Sequence, residues 1–328
     1  MLAATAPTVL YPNASNLPVL VGAEGGHVVA VSENVAGGST LLDITGGTQK
    51  VIAQIKGSAA TPTVGTGPSG EPEVVLQPCL SEAYPDRPVH CKLREYDLDG
   101  VGSVALAGTT GATIGAIDHG RYVSAKPSSG VAGTTVTLGP TKIGEERFVD
   151  LPLRPVLDAH ATGYRSYDEA PRVTSLSLSK GVVAATVQWG VDEHEGGGEG
   201  GGSLLLRSVR GATSGSTGGW QFLARSGYGG ASGIPRVFRA ATMTSTGIRA
   251  FYDGGDNDPG YVGRWTAAGV LVKRIATRSF HTPLVDDSAA FDGDQLVTNQ
   301  SVAVACADPD DVQPGGCPVV ETGAFRLG

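Results

Sequence analysis

Hydrophobic and polar residues alternate along this chain in short stretches, and each stretch soon ends at a glycine, proline or aspartate. The clearest run is "VTSLSLSKGVVAATVQWG", from Val173 to Gly190, followed by "SLLLRSVRG" from Ser203 and "WQFLARSG" from Trp220. Period-two alternation rich in Val, Thr and Leu, cut by Gly-containing turns, predicts four strands joined by three turns. No window of eleven or more residues keeps an apolar i, i+3, i+4, i+7 spacing free of glycine or proline, so almost no helix is expected.

The same order of strand, turn, strand, loop, strand, turn, strand recurs six times. The second strands align as "HVVAVSEN" from His27, "EVVLQPC" from Glu73, "RYVSAKP" from Arg121, "VVAATVQW" from Val182, "IRAFYDG" from Ile248 and "QLVTNQSVAVACA" from Gln295. The units span about 17–56, 60–108, 112–153, 172–227, 236–277 and 282–328. The last runs out after its third strand, while an orphan strand, "APTVLYP" (5–12), precedes the first. Closing the last unit with that strand would remove the unpaired edge that an open array leaves.

Four-stranded units of this length and order resemble the blades of a β-propeller, and six of them resemble the TolB-like class. The resemblance covers nearly the whole chain. It implies one domain over 1–328, all-β, built as a six-bladed β-propeller of four-stranded antiparallel blades closed by the N-terminal strand. A pair of β-sandwich domains is the structural alternative. The resemblance carries little functional information, because propellers host many unrelated activities.

Composition narrows the partners. The 49 glycines and 20 prolines fit many tight turns, and the longest apolar runs fall short of the roughly 20 residues that span a bilayer, so no membrane insertion is expected. Net charge is −8 and the cations are scattered singly, which offers no stripe for a phosphate backbone and argues against nucleic acid. The N-terminus lacks the cationic and apolar regions of an intact signal peptide; an initiator Met standing in for a removed leader would account for it.

The four cysteines form two close pairs, Cys79 with Cys91 and Cys306 with Cys317. Neither has C-x-x-C spacing, and an even number in close pairs favours disulfides in an oxidising, extracellular or periplasmic compartment over reduced buried thiols. Both pairs bracket a second-to-third-strand loop. The counterpart in the fourth unit is "VDEHEGGGEGGGS", Val191 to Ser203, read as a flexible hairpin tip rather than a linker or a native metal site. Acidic residues gather in these loops, and Asp253, Asp256 and Asp258 in "DGGDNDPG" are the best calcium ligands on offer. A plain turn of Asp, Asn and Gly is the alternative.

The longest connection, "LRPVLDAHATGYRSYDEAPR" between the third and fourth units, carries Asp158, His160, Tyr164, Arg165 and Tyr167, side chains suited to a polar ligand or partner. No G-x-S-x-G elbow and no local Ser/Cys–His signature occurs. The leading reading is therefore a non-catalytic extracellular binding or assembly module. Its partner is a protein, a glycan or further copies of itself, as in a surface or filament subunit. The second reading is a calcium-supported hydrolase or lyase, with Asp158, His160, Tyr164 and Arg165 in acid/base and binding roles. The triplets at Asn13 and Asn299 match the N-glycosylation acceptor, a pattern that arises often by chance.

Overall fold

The computed structural model describes residues 8–13, 19–79, 91–126, 135–138, 151–152, 160, 172–191, 200–209, 220–226, 237–253, 260–276, 288–304 and 317–327. Hydrogen-bond ladders join the strands into four-stranded antiparallel sheets, and six such sheets are formed. Sheet 1 holds β2 (Val19–Glu24), β3 (His27–Asn34), β4 (Gly38–Asp43) and β5 (Lys50–Lys56). Sheet 2 holds β6 (Thr63–Thr66), β7 (Pro72–Leu76), β8 (Arg94–Asp97) and β9 (Ser103–Ala105). Sheet 3 holds β10 (Ile114–Asp118), β11 (Arg121–Lys126), β12 (Thr135–Leu138) and β13 (Leu151–Pro152).

Sheet 4 holds β14 (Arg172–Ser179), β15 (Val182–Val191), β16 (Gly200–Ser208) and β17 (Trp220–Arg225). Sheet 5 holds β18 (Val237–Thr244), β19 (Gly247–Asp253), β20 (Tyr261–Thr266) and β21 (Leu271–Ala276). Sheet 6 holds β22 (Ala289–Asp292), β23 (Gln295–Val304) and β24 (Cys317–Arg326), and its fourth strand is β1 (Thr8–Asn13), antiparallel to β24. Helical structure among the described residues is confined to a 3₁₀ turn at Thr45–Gly47 and to His160.

Turn chemistry sets these registers. Asp118 pairs Arg121 and Ser179 pairs Val182 across two-residue loops whose central residues all have positive φ: His119 at 49°, Gly120 at 73°, Lys180 at 51° and Gly181 at 74°. That is the type I′ geometry matching the twist of a hairpin, and it holds His119 and Lys180 in a region that side chains other than Gly rarely occupy. Asp118 supports both turns. One carboxylate oxygen lies 2.7 Å from His119 Nδ1, and the other accepts the Lys180 amide at 2.6 Å.

Each sheet is apolar on both faces, because each is packed between two others. Val29, Leu41, Val64 and Leu76 form one cluster between sheets 1 and 2. Further clusters lie between sheets 2 and 3 (Val75, Leu93, Ile117), 3 and 4 (Val123, Val187, Trp189, Leu206), 4 and 5 (Leu205, Phe238, Trp265), and 5 and 6 (Phe251, Val262, Phe291, Phe325). A last cluster joins sheet 6 to sheet 1 through Leu10, Val297, Val19 and Val21. Burial of this kind, at roughly 25 cal/mol per Å² of apolar surface, is the main favourable contribution.

The innermost strands leave one row of backbone amides unpaired by their own ladders, and buried hydroxyls from the neighbouring sheet meet some of them. Ser175 and Ser177 of β14 accept the amides of Ala241 and Met243 on β18, each at 3.1 Å. Ser288 accepts from Val21 at 2.8 Å, and Ser203 accepts from Phe238 at 2.6 Å. This explains why the innermost strands read "TSLSLS" rather than as purely apolar. At two other junctions the backbones themselves meet: a Cβ on Gly22 would collide with the Pro62 carbonyl, and one on Gly65 with the Ile117 carbonyl.

The stretch "VDEHEGGGEGGGS" divides differently from its reading as a loop tip. Gly200, Gly201 and Gly202 are strand residues paired with Val191, Gly190 and Trp189, and Ser203 is fully buried. Gly202 serves packing there, since a Cβ on it would come within 2.6 Å of the buried Trp189 ring. Residues 192–199, with all four carboxylates, lie outside the described residues.

Candidate functional site

Two ends of the molecule are distinguished by their connections. At one, the turn end, lie first-to-second-strand turns such as those joining Asp118 to Arg121 and Ser179 to Val182; at the other, the loop end, lies the turn from Asn34 to Gly38 between β3 and β4. The innermost strands of the sheets line an axial cavity of about 40 Å³, with Gly22, Thr63, Ile114, Ser175, Ala241 and Phe291 on its walls. That volume holds a few water molecules and no larger ligand; small-molecule sites usually run to several hundred Å³. Glu24 lines it at the turn end. Burial, reinforced by the negative charge of Asp118, pushes the Glu24 carboxyl up to about 7 from an ordinary 4.5.

The junction between sheets 3 and 4 brings together groups of a different kind. Its wall on sheet 4 is the face carrying Val187, Trp189, Leu204 and Leu206, with Phe222 packed against it. His160, from the long connection, lays its ring on Phe222 with centroids 4.2 Å apart and planes within 4°. Arg225, three residues along the outer strand β17 and on the same face because a bulge intervenes, donates from Nη1 to the His160 carbonyl at 3.4 Å. Trp189 is 2% exposed, and its indole N–H has no acceptor among the described residues. A buried donor left unmatched costs about 1–3 kcal/mol, which an acceptor reaching this junction would offset.

Of the connection residues expected to bind a ligand, His160 is the one within the described residues; Asp158, Tyr164, Arg165 and Tyr167 lie outside them. Sequence reading missed Phe222, Arg225 and Trp189. All three sit in ordinary strand patterns, and their proximity to His160 arises only when sheet 4 stacks on sheet 3.

Of the calcium candidates, Asp253 accepts from Arg239 Nε and Nη2, both at 3.2 Å, while Asp256 and Asp258 lie outside the described residues. Among the described residues no cluster of three or more His, Cys, Asp and Glu could hold a metal ion. Cys79 and Cys91 form a disulfide at the base of the loop between β7 and β8, with Cα atoms 6.2 Å apart. Cys306 lies outside the described residues, and Cys317 begins β24. Asn299, a half-buried residue of β23, has both ends of its side-chain amide engaged. Its amide donates to the Val19 carbonyl and its oxygen accepts from Thr322 at 2.9 Å, so it ties sheet 6 to sheet 1.

A second aromatic set reaches the surface at the loop end of the junction between sheets 4 and 5. Phe238 meets Tyr252 edge-on, Tyr252 lies 4.8 Å from Tyr261, and the Arg274 guanidinium sits 4.7 Å over the Tyr261 ring. Among the described residues no helix is long and apolar enough to cross a membrane.

No family model and no curated protein sequence matches the chain. Solved structures do resemble it. A fucose-specific lectin from Aleuria aurantia superposes with a TM-score of 0.50 at 9% identity, covering 94% of this chain and 97% of the lectin. A second structure of the lectin from that fungus, described as a six-bladed β-propeller with a novel fucose recognition mode, gives a TM-score of 0.50 at 11% identity over 89% and 90% of the two chains. At such low identity the likeness is one of fold: the chain is an all-β propeller of four-stranded antiparallel blades.

Proposed function

We propose that this protein is a non-catalytic, extracellular glycan-binding propeller, with the junction between sheets 3 and 4 as a binding site. The observation that carries the reading is the stacked His160–Phe222 pair with the Arg225 guanidinium beside it. A pyranose has apolar C–H faces and a rim of hydroxyls. Flat aromatic rings suit the first, and a fork of N–H donors suits the second. The resemblance to a fucose-specific lectin over nearly the full length of both chains supports the same ligand class. In this reading the six sheets are six blades of one closed ring, with β1 pairing β24 to seal the last blade and the apolar cluster between sheets 6 and 1 completing the circle. The Cys79–Cys91 bridge fits secretion into an oxidising compartment.

Binding of a fucosylated and non-fucosylated oligosaccharide panel, followed by calorimetry on the hits, tests the proposal. Arg225→Ala and His160→Ala should each weaken the tightest hit at least tenfold, about 1.4 kcal/mol, while leaving the melting temperature within a few degrees. An empty panel, or full affinity in Arg225→Ala, would overturn it.

A further inference from the structure

The axial cavity holds a carboxylate that no described cation answers. Glu24 is half-buried at its turn end, and burial holds the carboxyl at about 7. It makes no hydrogen bond and no ion pair with a described residue. The charges around it are of the wrong sign. Asp118 adds to the upward push and is itself engaged by His119 and the Lys180 amide, and Asp292 accepts the Gly26 amide at 2.6 Å. His27 stands opposite Glu24 across the hairpin, but its buried Nδ1 finds no partner among the described residues.

Neutral oxygens and apolar groups make up the rest of the wall. Thr61 and Thr63 line it from the entry to sheet 2, Ser175 and Ser177 from sheet 4 and Thr242 from sheet 5, and among the described residues no Lys, Arg or His does. Ser175 and Ser177 accept the Ala241 and Met243 amides, whereas the Thr61 and Thr63 hydroxyls have no hydrogen-bond partner among the described residues. Beside them the Pro62 carbonyl stands against the Gly22 backbone. Above about pH 7 Glu24 is ionised, and a charge held away from water without a partner is costly. The countercharge has to come from solution. A volume of about 40 Å³ admits one small cation with a water or two, and no organic ion. Hard oxygen donors carrying a single negative charge suit an alkali ion; the nitrogen and sulfur ligands that transition metals favour do not line the cavity.

We propose that the axial cavity binds one alkali cation, with the Glu24 carboxylate as its charged ligand and the Thr61 and Thr63 hydroxyls and the Pro62 carbonyl as neutral ones. The bound ion would tie the innermost strands of sheets 1 and 2 together where their backbones touch, and would offset the charge that Glu24 brings to the axis. The site lies apart from the stacked pair at His160 and does not depend on glycan binding.

Thermal unfolding at about pH 8.5, where Glu24 has lost its proton, compares sodium chloride with choline chloride at equal ionic strength, since choline is too large to enter. The wild type should melt at least about 2 °C higher in sodium. Glu24→Gln should lose that response, and the stability advantage it holds in choline should narrow in sodium. Glu71→Gln, on the exposed turn of sheet 2, should respond as the wild type does. Sodium-23 NMR reads binding directly: the wild type should broaden the line, and potassium should relieve the broadening where choline does not. If Glu24→Gln fails to fold, Thr63→Val, which keeps the shape and removes the hydroxyl, should weaken sodium binding at least about fivefold. Equal midpoints in sodium and choline, an undiminished response in folded Glu24→Gln, or unchanged binding in Thr63→Val would each refute the site. A larger shift with calcium chloride than with sodium chloride would put a divalent ion there and overturn the proposal. None of these readouts involves a sugar, so an empty oligosaccharide panel leaves them untouched, and their failure leaves the site at His160 standing.

Discussion

Replacing Glu24 by Gln should stabilise the protein above about pH 4.5, with the full effect present only above about pH 7. The side chain lines the axial cavity where burial and the neighbouring charge of Asp118 raise its carboxyl to about 7. Below about pH 4.5 the group carries its proton whether the chain is folded or not, and the cavity costs it nothing. Between 4.5 and 7 the unfolded chain has released the proton while the folded one retains it, so stability falls as pH rises. Above 7 the carboxylate is charged in both states, and the full penalty is present. A displacement from 4.5 to about 7 corresponds to about 3 kcal/mol at 1.36 kcal/mol per pH unit. Gln keeps the size and removes the charge, so the variant should gain up to about 3 kcal/mol over wild type at pH 8.5 and nothing at pH 4. Urea unfolding of both proteins at these two pH values measures the difference, and subtraction cancels every other titrating group. A stability difference that is the same at both pH values would refute the linkage, and a less stable variant at pH 8.5 would refute the desolvation argument itself.

Gly65→Ala should destabilise by more than about 3 kcal/mol in urea melts, because the added methyl meets the Ile117 carbonyl, a backbone atom that cannot rotate away. Ser203→Ala should cost about 2 kcal/mol by stranding the Phe238 amide, whose hydrogen exchange should accelerate while that of β2 is unchanged. Cys79→Ala with Cys91→Ala should lower stability by about 3 kcal/mol, measured against wild type under non-reducing conditions, since the bridge closes a sequence separation of 12 residues.

The strands and hairpins were legible because their causes are local. "HVVAVSEN" coincides with β3, and "EVVLQPC" and "RYVSAKP" begin at or just beside β7 and β11, since alternation and a Gly-containing turn act within a few residues. The glycine run after Glu199 misled for the same reason. Read locally, Gly200 to Gly202 suggests freedom, whereas all three are strand residues and Gly202 is required by an indole from the neighbouring strand. The candidate site was legible at His160, whose type and place in a long connection invite a ligand. Phe222, Arg225 and Trp189 gave no such signal, because as strand residues each is explained by its own ladder.

By itself the sequence determined the unit: four antiparallel strands, two-residue turns able to take positive φ, and hydroxyls spaced every second residue on an innermost strand. These follow from backbone sterics and side-chain alternation, which need no distant partner. Which faces meet was decided by the tertiary structure alone. Glu24 on sheet 1 and Asp118 on sheet 3 have the whole of sheet 2 between them in the chain, and Arg249 finds Asp294 only across a junction. A burial-shifted carboxyl and a stacked ring pair depend on what lies opposite. Long-range packing sets that, and the period-two pattern leaves it open.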